Sequence, residues 1–244
     1  MIGGIDFYKL IDELERNFQE KKQEIRENLD QLIKMVFRPE NLIVSYTAEE
    51  EGCRCMEEQV EELKKVLYTE EVKEGSMVPD FEVKNEGFMT SGQVQYVAAA
   101  GNFAEAGYQY TGALRILKVM LSYEYLWTNI RVKGGAYGCM SGFRRNGDSF
   151  LVSYRDPNLK KTLEVFKNTG KFIRSFDADE REMTKYIIGT ISELDTPMTP
   201  SAKGSMSLNA WFTGITEEDL KKERLEILNA QTQDIRALAD RSEE

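Results

Sequence analysis

The sequence predicts an α+β fold: a largely antiparallel sheet covered by helices on one face, ending in a helical tail. Three observations carry this. Apolar residues recur at three- and four-residue steps through residues 5–37 and again from Leu159 onward. Short alternating runs occupy the middle of the chain. Between two of those runs stands Asn146-Gly147, a hairpin signal. With 244 residues, 41% hydrophobic and 30% charged, the chain is long enough for a sizeable core and has the composition of a soluble globular protein.

In order, Phe7, Leu10, Ile11 and Leu14, then Ile25, Leu29, Leu32, Ile33 and Val36, mark a helix over 5–37 that Arg38-Pro39 ends. Leu42, Val44 and Tyr46 alternate over Asn41–Thr47, a short strand. Met56–Tyr68 reads as a helix. The charged stretch Thr69–Asp80 reads as an exposed loop inside one domain. Strands are expected over Phe81–Met89 and Gln93–Phe103. In the second, Val94, Tyr96 and Ala98 share a face, and Ala98–Ala100 are small enough to pack under a helix. Gly107–Ile130 is a strongly apolar central helix. Ala136–Arg144 and Asp148–Arg155 form a hairpin with Asn146-Gly147 at the central turn positions, where both residues would take positive φ. Asp156-Pro157-Asn158 ends the strand and caps a helix over Leu159–Phe176. Helices follow over Asp179–Leu194, over Ser201–Phe212, after a Thr216 cap with Asp219 three residues on, and from Thr232. The tail stops in charge with no closing strand, as expected of a piece cut from a longer chain.

Composition excludes several functions. A net charge of −10 argues against a duplex nucleic-acid binder. No apolar run reaches membrane-spanning length and no secretory leader is visible, so a cytoplasmic location is the default. The chain has no histidine. A histidine-bearing zinc centre, a Ser-His-Asp triad or a Cys-His pair therefore cannot be assembled from it alone. Cys53, Cys55 and Cys139, odd in number, are expected as reduced thiols. Cys53-x-Cys55 lacks a second pair for a structural zinc, and no metal ligands are assigned.

The stretch that could carry chemistry is Arg131–Gly138, RVKGGAYG, between the central helix and the hairpin. Gly134-Gly135 lets the backbone turn sharply. Arg131 brings a permanent charge in a donor fork, and Tyr137 brings a phenolic hydroxyl at the mouth of a strand. It is not a phosphate loop, because no Lys-Ser/Thr follows and the glycines precede a strand. Acidic runs such as Glu49–Glu51 and Glu217–Asp219 lie at helix starts, where they complement the macrodipole.

The order of apolar helix, RVKGGAYG and hairpin resembles the C-terminal domain of pitrilysin/insulinase-type zinc metallopeptidases, closest to the presequence-protease branch. FYKLIDELERNFQEKKQEIRENLDQLIKMVFRPENLIVSYT, VQYVAAAGNF and ISELDTPMTPSAKGSMSLNAWFTGIT extend the resemblance over nearly the whole chain. It implies a single domain over 1–244, the last of four that form two bowl-shaped halves around a peptide chamber. It further implies zinc held by a His-x-x-Glu-His motif in the first domain, in the catalytic half that would be this chain's partner. Short unstructured peptides are the implied substrates. Arg131 and Tyr137 would be the pair that contacts the substrate carbonyl and stabilises the developing oxyanion, and Gly134 and Gly135 would let the substrate backbone approach. Neither nucleic acid nor membrane is an implied partner. The chain alone is expected to fold, bind no stoichiometric zinc and hydrolyse no peptide. The alternative is a non-catalytic scaffold or partner domain of the same fold.

Overall fold

Alternation builds a three-stranded sheet from β1 (Gln95–Asn102), β2 (Gly138–Phe143) and β3 (Asp148–Asp156) in the computed structural model, which describes residues 4–71 and 91–239. The order is β1-β3-β2 and both pairings are antiparallel. Register places Val97, Ser153 and Cys139 in one line and Ala99, Leu151 and Ser141 in the next. This side of the sheet faces the helices. On the other side Tyr96 is 77% and Met140 47% exposed, so the sheet has one open face. Val94, Tyr96 and Ala98 belong to the open side, and of the three small alanines only Ala99 packs against the core.

The residues fall into two compact units: 1–84 with 199–208, and 85–198 with 209–244. In the second, α4 (Ala113–Met120) widens into π-helical turns over Leu121–Tyr125 and Trp127–Val132. Leu114, Ile116, Leu117, Met120, Leu121 and Leu126 are at most 1% exposed, which makes this helix the spine of the core. It starts later than expected, because Phe103–Gly107 is taken up by a turn with Gly107 at φ +88°, and it ends later, enclosing Arg131. The helix expected over Leu159–Phe176 is two, α5 (Leu159–Lys167) and α6 (Thr169–Arg174), broken at Asn168. Then comes α7 (Glu180–Leu194), followed by α8 (Pro200–Thr213), whose residues up to Leu208 count with the first unit, and by α9 (Glu217–Leu228) and α10 (Thr232–Arg236). Asp179 and Thr216 cap α7 and α9 through reciprocal bonds with Glu182 and Asp219, the latter as the spacing predicted.

The hairpin is present, but its turn differs. Arg145 and Asn146 are the central residues, Gly147 N–H donates to Arg144 O (3.0 Å), and Gly147 alone takes positive φ, +94°. This is a three-residue loop closed by a glycine bulge, not a two-residue turn. A Cβ at Gly147 would also lie 2.3 Å from Asn102 Oδ1, so the strand next door reinforces the glycine requirement.

In the first unit the helix expected over 5–37 is divided at Asn17 into α1 (Gly4–Arg16) and α2 (Phe18–Val36), and α3 covers Glu50–Lys64. Tyr68 N–H donates to Phe37 O (3.0 Å) and Arg38 to Glu70 O (2.7 Å), joining the end of α3 to the end of α2. The strand expected at Asn41–Thr47 is not formed. Leu42 is extended (φ −80°, ψ 116°), but the segment pairs with no strand among the described residues. A strand exists only through its ladder, and alternation cannot supply the partner. Phe81–Met89, and the loop beyond Glu71, lie outside the described residues. Among those described, no helix is long and apolar enough to cross a membrane.

Candidate functional site

The last turn of the π-widened helix and the start of β2 bring the two singled-out side chains together. Arg131 lies inside that turn, not in the loop after it, four residues beyond Trp127 and therefore on the same helix face. Its guanidinium carbon sits 4.1 Å from the Trp127 ring centroid and 5.9 Å from that of Tyr137. Contacts of this kind hold a cation over an aromatic face while leaving its N–H groups free to donate.

The glycines shape the turn. Gly135, at φ +78°, donates to Arg131 O (3.0 Å), and Ala136 N–H reaches back to Ile130 O (3.1 Å). Such nested bonds across a left-handed glycine terminate a helix. A Cβ at Gly134 would stand 2.4 Å from Ile130 O, so no other residue fits there without moving the backbone. Helix termination alone accounts for both glycines.

Tyr137 immediately precedes β2. It is 58% exposed, and its N–H donates to Arg155 O (3.4 Å). Opposite it β3 carries an extra residue: Gln95 faces Asp156 but Val97 faces Ser153, so Tyr154 and Arg155 together oppose Tyr96. Arg155 takes φ 49°, the one positive value among the described non-glycine residues. That conformation costs roughly 1–2 kcal/mol and directs the Arg155 guanidinium to 5.3 Å from the Tyr137 ring centroid. Tyr154 packs on the same ring at 5.5 Å. Tyr137 is therefore bracketed by two arginines, and neither has a carboxylate within ion-pair distance among the described residues.

A buried carboxylate anchors the loop from beneath. Asp156, fully buried, accepts from Ser153 Oγ (2.6 Å), Thr162 Oγ1 (2.7 Å) and Asn158 N–H (2.8 Å). Asn158 stands at the N-cap position of α5 without capping it, contrary to the sequence expectation. Its amide donates instead to Gly134 O (2.5 Å), tying the start of α5 to the glycine turn. Behind the turn, Asn129, Lys133, Gly134, Asn158 and Lys161 line an open cleft of about 490 Å³. Cys139, half-buried on β2, has its thiol pushed up by burial, with Arg131 opposing and Asp156 reinforcing the shift.

Sequence patterning singled out Arg131, Tyr137, Gly134 and Gly135, and the fold places all four within one turn and the following strand start. It missed Trp127, Tyr154, Arg155 and Asp156. The Trp127 signal was available, four residues before Arg131. The others became neighbours only through strand register and a bulge. None of these groups makes a zinc set: the chain has no histidine, and among the described residues no three carboxylates or thiols converge as a metal would need. What the site offers is hydrogen-bond donors and aromatic faces.

The chain can be placed among known proteins. Residues 85–244 match the family model described as the PreP C-terminal domain. Protein HypA of Clostridium perfringens is 42% identical over 98% of this chain and 24% of its own length. Presequence protease 1, chloroplastic/mitochondrial, of Arabidopsis thaliana is 33% identical over 98% of this chain and 22% of its own length. Among solved structures, a protease from Helicobacter pylori superposes on 75% of this chain and 49% of its own, with a TM-score of 0.48 at 13% identity. The chain thus spans about a quarter of the length of the curated relatives it matches. On the family model, which covers well over half of it, the chain belongs to the presequence-protease family, and residues 85–244 match its PreP C-terminal domain.

Proposed function

We propose that this chain is the substrate-contacting wall of a longer zinc metalloendopeptidase that degrades short unstructured peptides, in which Arg131 and Tyr137 contact the carbonyl under attack. The carrying observation is the bracketed Tyr137: two guanidinium groups, with no carboxylate in ion-pair distance among the described residues, flank an exposed phenol. Two preorganised donors aimed at one oxygen favour the charge that builds on it in the transition state. Gly134 and Gly135 contribute shape, since the turn carries no side chain there to obstruct a peptide backbone. Zinc, and the catalytic half that holds it, belong to polypeptide outside this chain, because the donors here do not fit a zinc ion. A cytoplasmic location is part of the proposal.

The test is turnover in the full-length protein. Arg131→Ala and Tyr137→Phe should each lower kcat by about a hundred- to a thousandfold, the usual cost of one oxyanion donor. Melting temperature and zinc content should stay near wild type. Tyr137→Phe keeps the ring and its packing on Tyr154, so it isolates the hydroxyl. Unchanged turnover in both variants would establish the scaffold reading instead.

A further inference from the structure

Strand β3 stops alternating just before it reaches Tyr137. Leu151 and Ser153 are buried on the helix side of the sheet, and strict alternation would send Arg155 after them. The bulge instead turns Tyr154 and Arg155 outward together and returns Asp156 to the interior. The three bonds of the buried Asp156 account for a bulge at this place, but not for the residue that occupies it. At φ 49° a glycine or an asparagine sits with less strain than a long side chain does. An arginine held there calls for a reason of its own.

What the side chain reaches is Tyr137. Its guanidinium carbon stands 5.3 Å from that ring's centroid. Arg131 is shared with the ring of Trp127, whereas Arg155 faces the Tyr137 ring alone among the described residues. On the same ring Tyr154 packs at 5.5 Å with an interplanar angle of 56°. Tyr154 is itself fixed, because it lies over its cross-strand partner Gly138, where a Cβ would come within 2.5 Å of its ring. The phenolic oxygen of Tyr137 makes no hydrogen bond among the described residues, and the side chain is 58% exposed. The ring is therefore held by its faces and edges while its hydroxyl is left unengaged.

We propose that Arg155 is a positioning residue, whose guanidinium holds the Tyr137 ring so that the hydroxyl is already aimed when a peptide carbonyl arrives. It acts on Tyr137 and does not touch the substrate. A phenol on a freely turning side chain must be ordered at every turnover, whereas one already held donates without that reorganisation. The proposal deepens the reading of Arg131 and Tyr137 as carbonyl contacts and rests on it.

The experiment is a mutant cycle in the full-length protein, read by turnover of a short fluorogenic peptide. Arg155→Asn removes the cation and suits a positive φ, so the melting temperature should hold or rise. Its kcat should fall about five- to tenfold, the worth of one cation over an aromatic ring. KM should stay within about twofold, because the interaction lost serves the transition state and not substrate binding. Arg155→Gly, equally at ease in this conformation, should give the same kcat, and Arg155→Lys should recover part of the loss. In a Tyr137→Phe background Arg155→Asn should cost nothing further, since the hydroxyl it aims is gone.

Wild-type kcat in Arg155→Asn beside an impaired Tyr137→Phe would overturn the proposal and leave the carbonyl reading standing. A loss that persists undiminished in the Phe background would make Arg155 an independent contact and overturn it likewise. So would a rise in KM with kcat unchanged. Wild-type turnover in Tyr137→Phe itself would remove the hydroxyl from the reaction, and the role of Arg155 with it.

Discussion

Asp156 shows how one residue can hold a site it never touches. Its carboxylate takes two hydroxyls and a backbone N–H, and through Asn158 it governs where the Gly134 carbonyl sits. Asp156→Ala would leave those donors buried and without an acceptor. The expected loss is on the order of 3 kcal/mol in urea unfolding. Ser141, 4% exposed on β2, is its opposite, because its buried hydroxyl has no hydrogen-bond partner among the described residues. Ser141→Ala should be neutral or stabilise by up to about 1 kcal/mol. If both substitutions cost the same, hydrogen-bond satisfaction is not what separates them.

At the scale of the element, the hairpin sets which side chains reach Tyr137. A two-residue turn centred on Asn146-Gly147 would pair Arg145 with Asp148 and, seven steps on, Gly138 with Arg155. The three-residue loop slips this by one, so Gly138 pairs with Tyr154. Since side chains alternate in direction, a slip of one exchanges the faces of the whole strand. Gly147→Ala should then cost about 1–3 kcal/mol, from the left-handed backbone and the contact with Asn102. Its signature beyond stability is a changed environment for Tyr137 and Tyr154, read by NMR shifts. Equal stability with unchanged shifts would mean that the loop does not fix the register.

At the scale of the molecule, a buried cluster pins the helical tail to the second unit. Glu223 of α9 is 4% exposed and accepts from Tyr110 (2.6 Å), Arg115 and Arg145, which reach it from the loop before α4, from α4 and from the hairpin turn. Farther on, Thr232 donates to Ala178 O (2.9 Å), and Ile227, Ile235 and Leu238 are at most 2% exposed. Burial pushes the Glu223 carboxyl upward, but the hydrogen bonds from Arg115 and Tyr110 and the charges of Arg115 and Arg145 outweigh it, and the group titrates below its ordinary 4.5. A carboxyl whose folded pKa is depressed contributes stability fully above its unfolded value and loses it as pH falls through the folded one. Stability should therefore decline below about pH 4.5. Glu223→Gln should be less stable at neutral pH and show a shallower acid slope in thermal melts across that window. Parallel pH profiles for the two proteins would remove Glu223 from the acid response.

The sequence by itself determined the α+β class, most helices, the Thr216 capping box, the hairpin and the turn that carries Arg131 and Tyr137, because each of these is written in spacing or in residues of fixed backbone preference. Helical periodicity, a Thr-x-x-Asp cap and a Gly-Gly turn are local facts, and local energetics enforces them. Tertiary structure alone decided what surrounds Tyr137, since Arg155 and Tyr154 reach it only after register and a bulge are set by the whole sheet. It also decided that Asn41–Thr47, a strand by alternation, has no ladder among the described residues, because pairing belongs to two segments at once and no single segment encodes it.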